Sequence, residues 1–215
     1  DQGSVSLSSV NLMVSGTIRK TGGSWTTSTS SLELLGRTEW MVPEALSFSG
    51  LVLNGSTLLL GDNATELHFS DKVTFNNASA QIIMGLGTLK LNKGIDLQRG
   101  FLSVGEGTLE LGKTSFVESG GMLDLSGGKL EMSSSTSLTV RGMMRINSNT
   151  DLTNASIINL EGGTLECSGN ILLDQIFFGQ KSKIRLLDNT EIGSASPISL
   201  DTIELKKNHL RLVSK

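Results

Sequence analysis

Residues 88–107 read TLKLNKGIDLQRGFLSVGEG, residues 108–128 read TLELGKTSFVESGGMLDLSGG, and residues 129–146 read KLEMSSSTSLTVRGMMRI. One pattern returns every 20 or 21 residues: three apolar-alternating pieces of three to five residues, divided by short turns of Gly, Ser, Asn and charge. The third piece sets the register most clearly. Gly100, Gly121, Gly142 and Gly163 stand 21 residues apart, as do Leu102, Leu123, Met144, Leu165 and Leu186, and Val104, Leu125, Ile146 and Cys167. Side chains alternate faces along a strand, so the two apolar columns point the same way. Phe101, Met122, Met143 and Thr164 point the other way, with Ser103, Asp124, Arg145 and Glu166. A unit this short cannot bury its apolar edge alone and must stack on its neighbours. Strands stacked at a fixed period pair in parallel, about 4.8 Å apart. The reading is therefore all-β: a three-sided parallel β-solenoid with aliphatic columns inside. Turns of two or three residues leave no room for crossover helices, which excludes a doubly wound α/β sheet.

Working outward, the regular coils span about 46–187, within a single solenoid domain covering 1–215. The part before them, 1–31, is Ser/Thr-rich with strand-like fragments, and Thr21–Ser31 (TGGSWTTSTSS) reads as a loop. Beyond them, 188–215 is irregular at Asp188–Ser199, with final strands expected at Thr202–Leu205 and His209–Val213. Counting triplets gives about ten coils at the usual strand spacing. Neither end carries an amphipathic helix or polar cap, and the chain opens on DQGS without Met; the expectation is a segment with further coils beyond it.

The composition suits such a winding: 25 Gly, 2 Pro, 4% aromatic residues and no Tyr, pointing to narrow turns around a core too thin for large rings. A formal charge of −3, with Lys206–Lys207 the densest basic pair, argues against nucleic acid as partner. The one cysteine, Cys167, falls on an inward column and reads as a buried thiol, so neither a disulfide framework nor a CxxC metal site exists. No apolar run approaches the roughly 18 residues of a membrane-spanning helix. Four Asn-x-Ser/Thr sequons, at Asn54, Asn63, Asn77 and Asn154, are about what the Ser and Thr content produces by chance.

Two acid pairs merit weighing as catalysts. Glu110 and Glu131 hold equivalent outward positions on adjacent coils, with backbones about 4.8 Å apart, near the retaining-glycosidase separation. Asp124 and Glu166 lie two coils apart, at roughly 9–10 Å, near the inverting range. Yet Asp124, Arg145 and Glu166 also form an alternating-sign ladder, and short turns cannot wall in a sugar. No catalysis is expected. His68 and His209 sit far apart in solvated strands, and no metal site, cofactor site, nucleophile elbow or phosphate loop is read. The outward column Phe101, Met122 and Met143 is the candidate partner-contact face, unless a neighbouring loop such as Thr21–Ser31 covers it.

The turns GTLKL, GTLEL, GKLEM and GGTLEC resemble those of the right-handed parallel β-helix in autotransporter passengers and filamentous-haemagglutinin-type adhesins, over roughly 46–187. The resemblance implies a secreted or cell-surface stalk or adhesin. Its partners would be a protein or glycan on a cell surface, or another copy of itself. A carbohydrate-active enzyme or carbohydrate-binding tailspike on the same fold is the alternative. A long insertion beside either acid pair, folded into a cleft, would favour it, and its absence favours the stalk or adhesin.

Overall fold

The apolar alternation becomes strand after strand with one inward and one outward row. Thr57–Leu60, Glu66–Phe69, Gln81–Met84, Thr88–Leu91, Thr108–Leu111 and Lys129–Met132 all bury their second and fourth residues and leave the first and third half-buried. The computed structural model describes residues 4–61, 66–194, 198, 200–205 and 210–214. Among these every helix-free segment with regular structure is a strand, and the strands pair in parallel into a β-solenoid of about nine turns. Asn63, Lys206–Lys207 and His209 lie outside the described residues.

Each coil has three faces. The first carries, in stacking order, Leu46–Phe48, Glu66–Phe69, Thr88–Leu91, Thr108–Leu111 and Lys129–Met132. Residues 95–97 and 115–117 represent the second face, with Ser137–Val140, Ile157–Leu160 and Ile176–Phe178 continuing it. The third runs through Thr57–Leu60, Gln81–Met84, 101–103, 122–124, Met143–Asn147 and 164–168. Ile95–Ser103 and Ser115–Asp124 are single strands that bend from the second face into the third, with a register shift at the bend.

The recurring glycine sits at that bend. A Cβ at Gly100, Gly121, Gly142 or Gly163 would fall 2.4, 2.2, 2.1 or 2.5 Å from the backbone oxygen of Ala80, Leu97, Glu118 or Val140. Only a residue without a side chain lets the corner close this tightly. Turn hydroxyls join successive corners: Ser115 Oγ accepts from Ile95 N at 3.0 Å, and Ser182 Oγ donates to Leu160 O at 2.8 Å.

One hydrophobic core runs inside the coils from Ile18 to Ile192. Leu102, Leu123, Met144 and Leu165 are cross-strand neighbours in one buried column. The expected fifth member is replaced: Leu165 pairs with Ile184, and Leu186 pairs with Cys167. The coil between Thr164 and Lys183 is 19 residues long, two short of the period. A slip of two preserves the inward face, so Leu186 stays fully buried in the adjacent column.

Three other expectations change. Thr21–Ser31 is not a loop throughout, because Ser24–Thr26 is a strand paired with Ser4–Ser6, and Ser31 opens the strand Ser31–Met41. Asp188–Ser199 is not irregular at its start, because Lys183–Ser194 is one strand that turns a corner and pairs with Leu210–Ser214. The core does hold large rings: Trp40, Phe48, Phe69 and Phe75 are fully buried, with Trp40 edge-on to Phe48 at 5.8 Å and Phe48 stacked on Phe69 at 6.1 Å.

Full burial of a Leu side chain contributes about 1.5–3 kcal/mol, and an unpaired charge in its place adds a desolvation cost. Leu123→Asp should therefore destabilise the chain by about 4 kcal/mol or more, measured by thermal or denaturant unfolding. An unchanged unfolding midpoint would mean that Leu123 does not face the core.

Candidate functional site

On the first face, the outward column runs Ser47, His68, Lys90, Glu110, Glu131. Glu110 and Glu131 are direct cross-strand partners, as their spacing implied. Like charges directly opposite repel, and each carboxylate turns to a lysine instead. Lys90 Nζ lies 2.9 Å from Glu110 Oε2, and Lys129 Nζ 2.6 Å from Glu131 Oε1. The hydrogen bond from Lys129 holds the Glu131 carboxyl below its ordinary range against the opposing effect of burial, with Asn154 helping. A retaining pair needs one carboxyl raised enough to act as an acid; Glu131 is shifted the other way. His68 is half-buried rather than freely solvated, with Nδ1 3.4 Å from Ser47 Oγ and Nε2 2.6 Å from Glu66 Oε1, the latter without hydrogen-bond alignment.

The same face then breaks its pattern. In TLKL, TLEL and KLEM the fourth residue is the inward Leu91, Leu111 or Met132. The next coil reads DLTN, and Ala155, one residue later, is buried in place of Asn154. Leu130 N donates to Asp151 O and Met132 N to Asn154 O, both at 3.0 Å, so a two-residue step faces a three-residue step. This is a β-bulge, which bends the strand and re-aims its side chains. Of the ladder only the bridge Lys129–Asp151 is left. Thr153 N donates to Asp151 Oδ1 at 2.9 Å and closes the bulged turn.

The bulge walls an open groove of about 500 Å³, lined by Lys90, Asn92, Glu110, Glu131, Ser134 and Asn154 among others. A second hollow of about 310 Å³ lies on the far side of the bulged segment, towards Asn170 and Asp174. Short turns were expected to leave no wall here. Asn154, standing where its three predecessors have an apolar residue, is the sequence signal that the wall exists.

The third face carries the ladder. Asp124, Arg145, Glu166, Arg185 and Glu204 are successive cross-strand partners. Arg145 lies 3.2 Å from Asp124 and 2.6 Å from Glu166; Arg185 lies 2.8 Å from Glu166 and 2.9 Å from Glu204. The three-residue ladder legible in the repeat thus extends by two, across the 19-residue coil. Asp124 and Glu166 do not face an open space between them, because Arg145 fills it. Glu166 is only 4% exposed. Burial pushes its carboxyl up, but hydrogen bonds and charge from Arg185 and Arg145 outweigh burial and hold it below the ordinary value. The stability this gives is present above the ordinary glutamate range and is lost as pH falls through the lowered folded value.

Glu166→Gln should accordingly destabilise the chain at pH 7 by about 2–3 kcal/mol, since the two arginines are partly solvated and a removed buried partner costs somewhat more in a dry interior. The gap between the two proteins should narrow as pH drops below the ordinary glutamate value of about 4.3, where the unfolded chain's carboxyl takes up its proton, and close as the folded carboxyl follows at lower pH. Acid titration of unfolding midpoints checks this, and a gap independent of pH would contradict it.

Phe101, Met122 and Met143 stack on the outside of the third face in successive coils, each half-buried. Thr21–Ser31 does not cover them: its strand stacks on Ser4–Ser6 at the other end of the winding. Over Met122 and Met143 lies a shallow hollow of about 330 Å³, floored by the corner glycines Gly120, Gly121 and Gly142 and edged by Arg141. Ile83 and Leu59 continue the apolar surface in the neighbouring outward column. Cys167 is fully buried, and burial pushes its thiol up to about 12, so it packs rather than reacts. Among the described residues no group of three or more His, Cys, Asp and Glu is placed to hold a metal ion, and no helix is long and apolar enough to cross a membrane.

No family model matches the chain, and no curated protein or solved structure matches it either.

Proposed function

We propose that the chain is a non-enzymatic structural or adhesive β-solenoid segment of a larger extracellular or cell-surface protein, in the manner of autotransporter passengers and filamentous-haemagglutinin-type adhesins. The observation that carries this reading is the continuity of the core: the same inward columns are filled turn after turn, from Leu32 to Ile192. Stacked coils of this kind make a spacer whose length scales with coil number and whose flat faces offer extended contact. The ion pairing of the carboxylates at Glu110, Glu131 and Glu166 supports a structural role for them rather than acid–base chemistry.

The contact surface in this reading is the column of Phe101, Met122 and Met143, with Ile83 and Leu59 extending it. A contiguous apolar strip on an outward sheet face marks a place where another surface lies, whether a second copy or a cell-surface protein. Met122→Lys combined with Met143→Lys should weaken concentration-dependent self-association or attachment to cells by about tenfold or more, because the contact would then desolvate two charges. The thermal midpoint should hardly move, since both side chains are already half in solvent. Sedimentation and cell-attachment assays on the same preparations read both effects. Unchanged association and attachment would remove the column from the contact surface.

A further inference from the structure

We infer that the groove on the first face, beside the bulge at 151–154, binds a neutral oligosaccharide. The proposal concerns a different face from the apolar column, so either can fail alone. Its first support is shape: a regular solenoid face is flat, and the one extra residue between Asp151 and Asn154 turns this stretch into an open trough of about 500 Å³. Bulges of this kind re-aim side chains beside binding sites.

Its second support is charge. Glu110 and Glu131 are matched by Lys90 and Lys129, two carboxylates against two ammonium groups. Lys90 and the two carboxylates line the trough while Lys129 pairs with Glu131 from outside it, so each carboxylate is already neutralised and attraction to a polyanion or polycation is weak. The lining mixes polar side chains with Leu111, Met132 and Ala155, which suits a ligand with both polar edges and apolar faces. What remains is a ligand that is uncharged and dense in hydroxyl groups.

Its third support is the inventory of hydrogen-bonding groups. Asn92 and Asn154 each present an amide that both donates and accepts, Ser134 a hydroxyl, and the ion-paired carboxylates keep lone pairs for further donors. Successive coils contribute them in turn, Asn92, then Glu110, then Glu131 and Ser134, then Asn154, with Glu110 and Glu131 direct cross-strand partners. Polar groups spread over four coils along the winding suit a chain of sugar units better than an isolated small molecule. Ion pairing also fixes the carboxylates before a ligand arrives, which lowers the cost of ordering them.

The test presents the 215-residue chain to a panel of immobilised neutral oligosaccharides, plain and N-acetylated, and to acidic ones of similar length. Binding to one or more neutral members is expected. Glu110→Gln and Asn154→Ala should each weaken it about tenfold or more, as the loss of a hydrogen bond to a charged or well-placed group does. Glu118→Gln, on the second face, should leave it unchanged. Because a groove variant could fold poorly, a second measurement uses the wild type: amide-shift mapping with the best neutral binder should perturb residues 90–92, 110, 131 and 154. No binding, binding to acidic glycans only, or perturbations confined to another face would each overturn the proposal.

Discussion

Every coil depends on its neighbours for its backbone hydrogen bonds. A strand of three or four residues has no partner within its own turn; its N–H and C=O groups are satisfied by the coil before and the coil after. Unpaired backbone groups away from water are costly, so the stack holds together only if each coil returns in register. The inward columns enforce that return. Leu102, Leu123, Met144 and Leu165 fit one above another, and a slip of one residue would turn the whole inward row out to solvent. The corner glycines serve the same constraint from the backbone side, because a side chain at Gly142 would meet the Glu118 oxygen at 2.1 Å.

The charge ladder on the third face adds a second, electrostatic reading of the register. Asp124, Arg145, Glu166, Arg185 and Glu204 alternate in sign along the stack. A two-residue slip would keep apolar residues inside yet take the arginines away from Glu166, leaving a buried carboxylate unpaired. Replacing a buried ion pair by apolar groups is often neutral in stability, whereas breaking one is costly. The ladder therefore discriminates between registers that the core alone would tolerate. It does this next to the shortened coil, where the two-residue offset between Leu165 and Ile184 makes such a slip the nearest alternative.

The repeat made the solenoid, its three faces and the central columns legible, because a period of 20 or 21 with strand alternation has few other structural meanings. The pairing of Glu110 with Glu131 and the start of the ladder at Asp124 followed from the same arithmetic. Legibility failed where the period changed. Leu186 was placed by counting 21 onward from Leu165, and the coil is 19 long. Ser24–Thr26 lies in a run of Ser, Thr and Gly with only Trp25 apolar, too weak an alternation to separate from a loop. The four large rings are accommodated because they cluster in the early coils rather than being spread along the core. On the candidate site, the sequence located the two carboxylates but not the wall beside them. One polar residue in an apolar slot, Asn154, carried that information, and a single substitution within a repeat is easily taken for surface variation.

If the coil is the unit of structure, one whole coil can be removed without disturbing the rest. Met143 stacks directly on Met122, so deleting residues 122–142 joins Gly121 to a residue that already occupies the next position in the column. The deleted chain should fold cooperatively with the circular-dichroism spectrum of parallel strands, and small-angle scattering should show a particle shorter by one rung, about 4.8 Å. Deleting only 122–131, about half a coil, should abolish folding, since it moves inward residues onto the wrong face. A whole-coil deletion that unfolds the chain, or a half-coil deletion that leaves it folded, would contradict the stacked-coil architecture.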